Sequence, residues 1–272
     1  MNKKPPFLRR RLGRRLRTIR EDANLTLDTA AVRLDKTRSA LARIETGQTK
    51  ADVHFIRSAM DLYDFYDEDL LTQAREAAKP PWFRAYGIED LGYVDIETYA
   101  STVQEFAGLN LPGLFQTEAY IRAMLERGRR RRTAEQMRND IKVRLIRQQR
   151  LTNEENPLEI TAIIDESALL RDIGGREVMR EQHGQLIEMA ALPTVTLQVL
   201  PLQAHSAMDG GFTLLSFDDP EDADLLYVEY ATGALHIEDE VEVRAARLVF
   251  EQLRTEALSP ADSVALIERI SL

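Results

Sequence analysis

Cysteine is absent from the 272 residues. Its absence excludes a disulfide framework, a thiolate nucleophile and any metal site built on sulfur, and it fits a reducing cytoplasm. Glycine and proline, at 13 and 10, are too few for a low-complexity or collagen-like chain, and hydrophobic residues at 44% describe an ordinary globular one. No stretch approaches the roughly 18 apolar residues of a membrane span, so no membrane association is expected. The start, MNKKPPFLRRR, is basic but has no apolar core or small-residue cleavage site, and so does not read as a signal peptide. Histidine is scarce as well: His54, His183, His205 and His236 stand apart, with no HExxH-type pair.

Charge is unevenly spread. Residues 1–50 hold fourteen Lys/Arg against five Asp/Glu, a net of +9; subtraction from the totals of 36 and 45 leaves 22 against 40, a net of −18, in residues 51–272. A basic segment joined to an acidic body points to nucleic-acid contact by the basic part, although a solvated basic tail gives the same tally. The length predicts two domains.

The pattern of residues adds what charge leaves open. Residues 1–11 read as a flexible basic arm, because Pro5-Pro6 lack the N–H of a hydrogen-bonded element. From Leu12 onward, Leu12, Leu16 and Ile19 fall at helical spacing among arginines. Asn24 tolerates the left-handed conformation that stops a helix. Thr26 caps a second helix carrying Leu27, Ala30, Ala31 and Leu34, and after a break at Asp35-Lys36, Thr37 caps a third over Arg38–Glu45 that ends at Gly47. A fourth helix is expected near Asp52–Tyr63 and a fifth over Asp67–Ala78, before Lys79-Pro80-Pro81 breaks the chain. Residues 12–78 thus read as a five-helix domain with a three-residue turn between its second and third helices. Such a turn presents one helix to the major groove of double-stranded DNA.

The segment over about residues 12–75, and most specifically its ALARIETG run, resembles the phage-repressor or Xre type of helix-turn-helix domain. The resemblance implies that Glu45 pairs with Arg20 to fix the helix geometry. It also implies that bases are read from Arg38, Ser39 and Arg43. The planar forks of Arg38 and Arg43 suit guanine O6 and N7, at about 1–3 kcal/mol of discrimination per good pair. Thr26, Lys36, Thr37, Thr49 and Lys50 flank the helix ends, where hydroxyls and ammonium groups meet phosphates. The chain departs from the family at Asp35, where glycine is usual, and at Lys36, where valine is usual. Asp tolerates the positive φ of that turn, and the stem of Lys36 can lie over the core with its ammonium outside.

Residues 79–272 read as a larger α+β domain, helices first and then a mixed sheet with helical cover, so that the whole chain is mainly α. Helices are expected over Asp95–Leu109, from Thr117 to Arg127, and from a capping box at Thr133 and Gln136 to about Leu151. Strands are expected over Leu158–Ile164, Val195–Leu200, Phe212–Phe217, Leu225–Tyr230 and Ala234–Ile237, with further helices over Gly175–Leu192, Asp239–Glu256 and Pro260–Ile270. The phrases LPGLFQTEAYIRAML, IIDESALLRDIGGREVMREQ, PTVTLQVLP, GGFTLLSF and YVEYATGALHIED resemble, in that order, a large domain of uncharacterised function. That domain is joined to Xre-type domains in many actinobacterial regulators. The resemblance implies a regulatory role, in some members antitoxin-like and exercised with a small partner protein. A small-molecule effector is the other possibility.

No enzyme and no cofactor are expected. Asp165, Glu166, Arg171, His205 and Glu229 show no spacing that joins a nucleophile to a base, and Asp165-Glu166 reads as a strand end followed by a helix start. Gly174-Gly175 lacks the other glycines and the Lys of a phosphate-binding loop and reads as a helix break. Arg129–Arg132 with Arg138, Lys142, Arg144, Arg147 and Arg150 forms a second basic stripe, read as a solvated helix face, a DNA-backbone contact or a surface for an acidic partner. A homodimer is expected, because one helix in one groove reads only a few base pairs.

Overall fold

A computed structural model describes residues 5–88, 92–128, 131–204 and 210–271. The chain divides into two compact units, Met1–Ala85 with Glu89–Ile96, and Tyr86–Ile88 with Glu97–Leu272.

In the first unit, helix α1 spans Phe7–Asp22, α2 Leu27–Arg33, α3 Arg38–Glu45, α4 Val53–Tyr63 and α5 Glu68–Ala78. Their boundaries follow local chemistry. Asn24 takes φ +55° and Asp35 φ +52°, so each ends its helix in the left-handed region where Asn and Asp are among the few side chains tolerated. The hydroxyls of Thr26 and Thr37 accept hydrogen bonds from the Thr29 and Ala40 amides and so start α2 and α3. The inner faces join in one apolar core that includes Leu12, Leu16, Ala30, Leu41, Ile56 and Leu70.

The flexible arm expected over residues 1–11 is corrected from Phe7 onward, because α1 begins there; residues 1–4 lie outside the described residues. Proline is well suited to the residue just before a helix, whose first amides have no partner within it. Here the Phe7 amide donates to Asp95 Oδ2 at 2.7 Å and the Phe7 ring is buried. Arg9 Nε donates to the Ala77 carbonyl at 3.3 Å, and the Arg10 guanidinium lies 5.7 Å from the centre of the Phe7 ring. Burial, offset by this amide bond and by neighbouring arginines, holds the Asp95 carboxyl above its ordinary pKa. The arm's arginines from Arg9 onward therefore belong to a packed helix. The unit closes with a short helix α6 at Tyr93–Glu97, whose last residue falls in the second unit.

In the second unit, β1 spans Thr102–Ala107, α7 Glu118–Glu126, α8 Ala134–Gln148, β2 Glu159–Asp165, α9 Glu166–Leu170, α10 Arg176–Ala190 and β3 Val195–Leu200. Then follow β4 Phe212–Ser216, β5 Leu225–Tyr230, β6 Gly233–Ile237, α11 Glu240–Glu256 and α12 Pro260–Ser271. The described strands form one mixed sheet of order β3-β2-β1-β4-β5-β6, parallel from β3 to β1 and antiparallel beyond. The fold is α+β with a helical N-terminal domain.

The helix expected over Asp95–Leu109 is the second correction: it stops at Glu97, and Thr102–Ala107 is the strand β1. Ile96, Tyr99, Val103 and Phe106 happen to share helical spacing. Pairing with β2 on one side and β4 on the other places the segment mid-sheet, where period two governs which side chains share a face. One face carries Phe106, Ile163, Leu214 and Leu226 against Val243, Phe250 and Leu253 of α11. Glu105, in register with Thr213, faces the other way.

Candidate nucleic-acid interface

Helix α3 is amphipathic. Leu41, Ile44 and Glu45 are buried, while Arg38, Ser39 and Arg43 are exposed on the opposite side. At about 100° per residue the exposed trio falls within about 140° of the helix circumference, on the side away from Leu41, Ile44 and Glu45. The Arg38 guanidinium lies 3.3 Å from Asp28 of α2, with both side chains about two-thirds or more exposed (67% and 72%), a surface pair of the kind that contributes little. Arg43 has no ion pair among the described residues.

The buried side of α3 is fixed by one polar contact. Arg20 Nε donates to Glu45 Oε1 at 2.7 Å and Arg20 Nη2 to Glu45 Oε2 at 2.9 Å, while Arg20 Nη1 donates to the Leu25 carbonyl at 2.8 Å. The two side chains retain 6% and 5% of their exposure, so a guanidinium of α1 grips a carboxylate of α3 inside the core. The bidentate geometry fixes direction as well as distance. Hydrogen bonding to Glu45 holds the Arg20 pKa above its ordinary value against the effect of burial. Tyr63 nearby is pushed up to about 12 by burial and by the Glu45 charge.

Two backbone approaches set how α1 meets α3. A Cβ added at Gly13 would stand 2.5 Å from the Glu45 carbonyl oxygen and 2.7 Å from that of Ile44. At Gly47, where φ is +73°, it would stand 2.7 Å from the Arg10 amide nitrogen. Only glycine fits either place without displacement.

Of the residues expected at phosphates, Thr26, Lys36, Thr37 and Thr49 are exposed around the ends of α2 and α3. The Thr26 and Thr37 hydroxyls cap helices and sit beside those of Thr29 and Ser39 at 2.9 and 3.3 Å. Lys50 is also exposed, but its ammonium donates to the Ala78 carbonyl at the end of α5, at 3.0 Å. That contact ties it to its own domain.

The second basic stripe does not stay together. Arg138 and Lys142 are exposed on α8, with the Lys142 ammonium 5.2 Å from the centre of the Tyr86 ring. Arg147 grips the buried Glu97 carboxylate with bonds of 2.6 and 2.7 Å, and Arg150 donates to the Glu97 and Ala100 carbonyls at 2.5 and 2.8 Å. Arg144 donates to Gln116 Oε1 at 2.6 Å, and burial, reinforced by the Arg147 charge, pushes its pKa down to about 10. These three arginines hold the domain together from within; Arg129 and Arg130 lie outside the described residues.

Beside them stands Glu105, whose pKa is pushed up to about 7 by burial first and by the Glu97 and Glu229 carboxylates, against the pull of Arg147. Its folded pKa exceeds the unfolded value, so its contribution to stability is fully present below the unfolded pKa and lost as pH rises through about 7. The Glu105→Gln chain should therefore exceed the parent in stability by about 1–3 kcal/mol at pH 8.5 and approach it at pH 5, in urea titrations at both values. A pH-independent difference would contradict the assignment.

The residues that would have to assemble a hydrolytic or metal site stay apart in role. The Asp165 carboxylate accepts from the Ser167 amide at 2.9 Å and caps α9, Glu166 accepts from the Leu202 amide at 3.0 Å, and His205 lies outside the described residues. His183 is buried with Nε2 3.1 Å from the Leu169 carbonyl. Among the described residues, no group of three or more His, Cys, Asp or Glu could hold a metal ion. Gly175 precedes α10, with its amide donating to Asp172 Oδ1 at 2.8 Å. No helix among the described residues is long and apolar enough to cross a membrane.

Two family models match this chain: a helix-turn-helix domain over residues 11–74 and a domain of unknown function, DUF5753, over residues 91–269. No curated protein matches it. Among solved structures the chain is similar to the clp gene regulator ClgR from C. glutamicum, at 25% identity over 28% of this chain and 96% of that one, with a TM-score of 0.24. The exposed α3 behind its short turn, and a DUF5753 match spanning well over half of the sequence, give one conclusion: the chain belongs to the family of helix-turn-helix proteins that carry a DUF5753 domain.

Proposed function

We propose that this protein is a cytoplasmic, sequence-specific regulator of transcription. It reads bases through Arg38, Ser39 and Arg43 and holds the duplex backbone through Thr26, Lys36, Thr37 and Thr49. The observation that supports this reading is the two-sidedness of α3. Its inner face is locked to α1 through Glu45, while its outer face offers two guanidinium groups and a hydroxyl to solvent. A helix of eight residues fits the major groove, where each base pair presents its own donor and acceptor pattern. Recognition by one such helix covers few base pairs, and a dimer on two half-sites multiplies the discrimination. The second unit would supply the dimer contact and the response to a partner protein or effector. Lys50, exposed beside Thr49, would join the phosphate contacts by exchanging its bond to the Ala78 carbonyl for a phosphate, while Phe7–Arg11 contribute by folding into α1.

The test is an Arg43→Ala chain titrated against its selected duplex and against a random one of equal length. Binding to the selected duplex should weaken by about 1–3 kcal/mol with a broadened base preference, while binding to the random duplex changes far less. Equal losses on both would assign Arg43 to the phosphates.

A further inference from the structure

Helix α11 of the second unit carries apolar side chains on its outer side as well as its inner one. Val243, Phe250 and Leu253 turn inward, while Val241 and Leu248 stand 76% and 70% exposed on the opposite side. Val241, Ala245, Leu248, Gln252 and Thr255 are all exposed and recur at steps of four and three, the seam spacing of paired helices. Tyr230 and Leu235, also exposed, belong to the sheet face that α11 covers, since Val228, the cross-strand partner of Leu235 and two residues from Tyr230, packs in the same core. Scattered exposed leucines need no explanation, but a seam flanked by ordered charges does.

Those charges are self-complementary. Arg244 and Glu251 both flank the seam on the same side, one on each side of Leu248 along the helix. Turning a second α11 antiparallel about a two-fold axis at Leu248 sets Leu248 against its own copy, Ala245 against Gln252 and Val241 against Thr255. The same rotation sets Arg244 against Glu251 of the second copy, and Glu251 against its Arg244. A parallel two-fold would carry the Arg244 and Glu251 flanks of the two copies to opposite sides of the seam, so these charges would not meet. An isologous interface needs such a patch, in which each residue meets its partner twice. Glu251 is free to serve, its contact with Arg254 being an exposed pair at 3.4 Å.

We propose that α11 is the self-association surface of this protein, occupied by α11 of a second copy in antiparallel orientation. The inference rests on the dimeric reading above and names the surface responsible.

The test is sedimentation equilibrium of the full chain across concentration, with denaturation midpoints confirming that each variant is folded. The Leu248→Glu substitution should weaken dimerisation about a hundredfold or more, since the side chain is exposed in one copy and buried twice in the pair. Arg244→Glu alone and Glu251→Arg alone should each weaken it about tenfold, and combining the two in one chain should restore it, because each pair is then reversed. Folded variants that all dimerise like the parent would overturn the α11 assignment and leave a dimer through another surface. A parent monomeric at every concentration would overturn the assignment together with the dimeric reading. Base recognition by α3 is separable from both, because a monomeric Leu248→Glu chain should still prefer its own half-site over random duplex.

Discussion

Replacing Glu45 with alanine is expected to cost the helix-turn-helix domain about 3–5 kcal/mol, the penalty for leaving a buried guanidinium without its carboxylate. Arg20 is held at 2.7 and 2.9 Å by Glu45, at 2.8 Å by the Leu25 carbonyl and at 3.2 Å by the half-exposed Glu21 carboxylate, so the variant keeps two of four anchors and loses the buried opposite charge. Exposed pairs such as Arg17 with Glu21 should contribute well under 1 kcal/mol by comparison. Urea titration of the full chain, followed by helical circular dichroism, reads the loss. The Arg20→Met, Glu45→Leu double substitution should be milder than the single Glu45→Ala, because no charge is then stranded. A single variant within about 1 kcal/mol of the parent would show that the pair is solvated in solution.

Gly13→Ala is expected to be comparably damaging by a different route. One methyl group would have to stand 2.5 Å from a backbone oxygen, and no rotamer relieves a clash with backbone. The cost is about 3 kcal/mol, at the upper end of overpacking effects. It should carry a functional signature too, since the oxygens it strikes belong to Ile44 and Glu45, the last turn of α3. If α1 and α3 separate to admit the methyl group, specific DNA retention should fall in conditions where the variant is still folded. Gly184→Ala serves as the control, because its added carbon meets nothing within 4 Å. Parent-like stability for Gly13→Ala would mean that the two helices meet less closely than described.

The first unit was largely legible because its determinants are local. Asn24 and Asp35 reveal their positive φ by residue type, and Thr26 and Thr37 stand directly before apolar periodicity. The Arg20–Glu45 pair spans 25 residues and was reached through the ALARIETG resemblance rather than through spacing. What sequence reasoning missed depends on distant partners. Phe7 starts α1 because a carboxylate 88 residues away receives its amide, and Pro5-Pro6 alone give no sign of that. Likewise Arg147 and Glu97 are 50 residues apart, so the arginines of α8 look like a solvated stripe until the sheet and α6 are in place. In β1 neither face is purely apolar: Val103, Glu105 and Ala107 share one and Thr102, Gln104 and Phe106 the other, so period two left no mark and the coincident helical spacing prevailed.

The most direct trial of base recognition by α3 is selection from a random duplex pool by the full chain. The parent chain should enrich one sequence, with two inverted half-sites spaced about one helical turn apart and guanines at the positions facing Arg38 and Arg43. The Arg38→Ala, Arg43→Ala chain should lose those guanines while still retaining duplex at low salt. Enrichment of the same sequence by both chains, or of none by the parent, would contradict it.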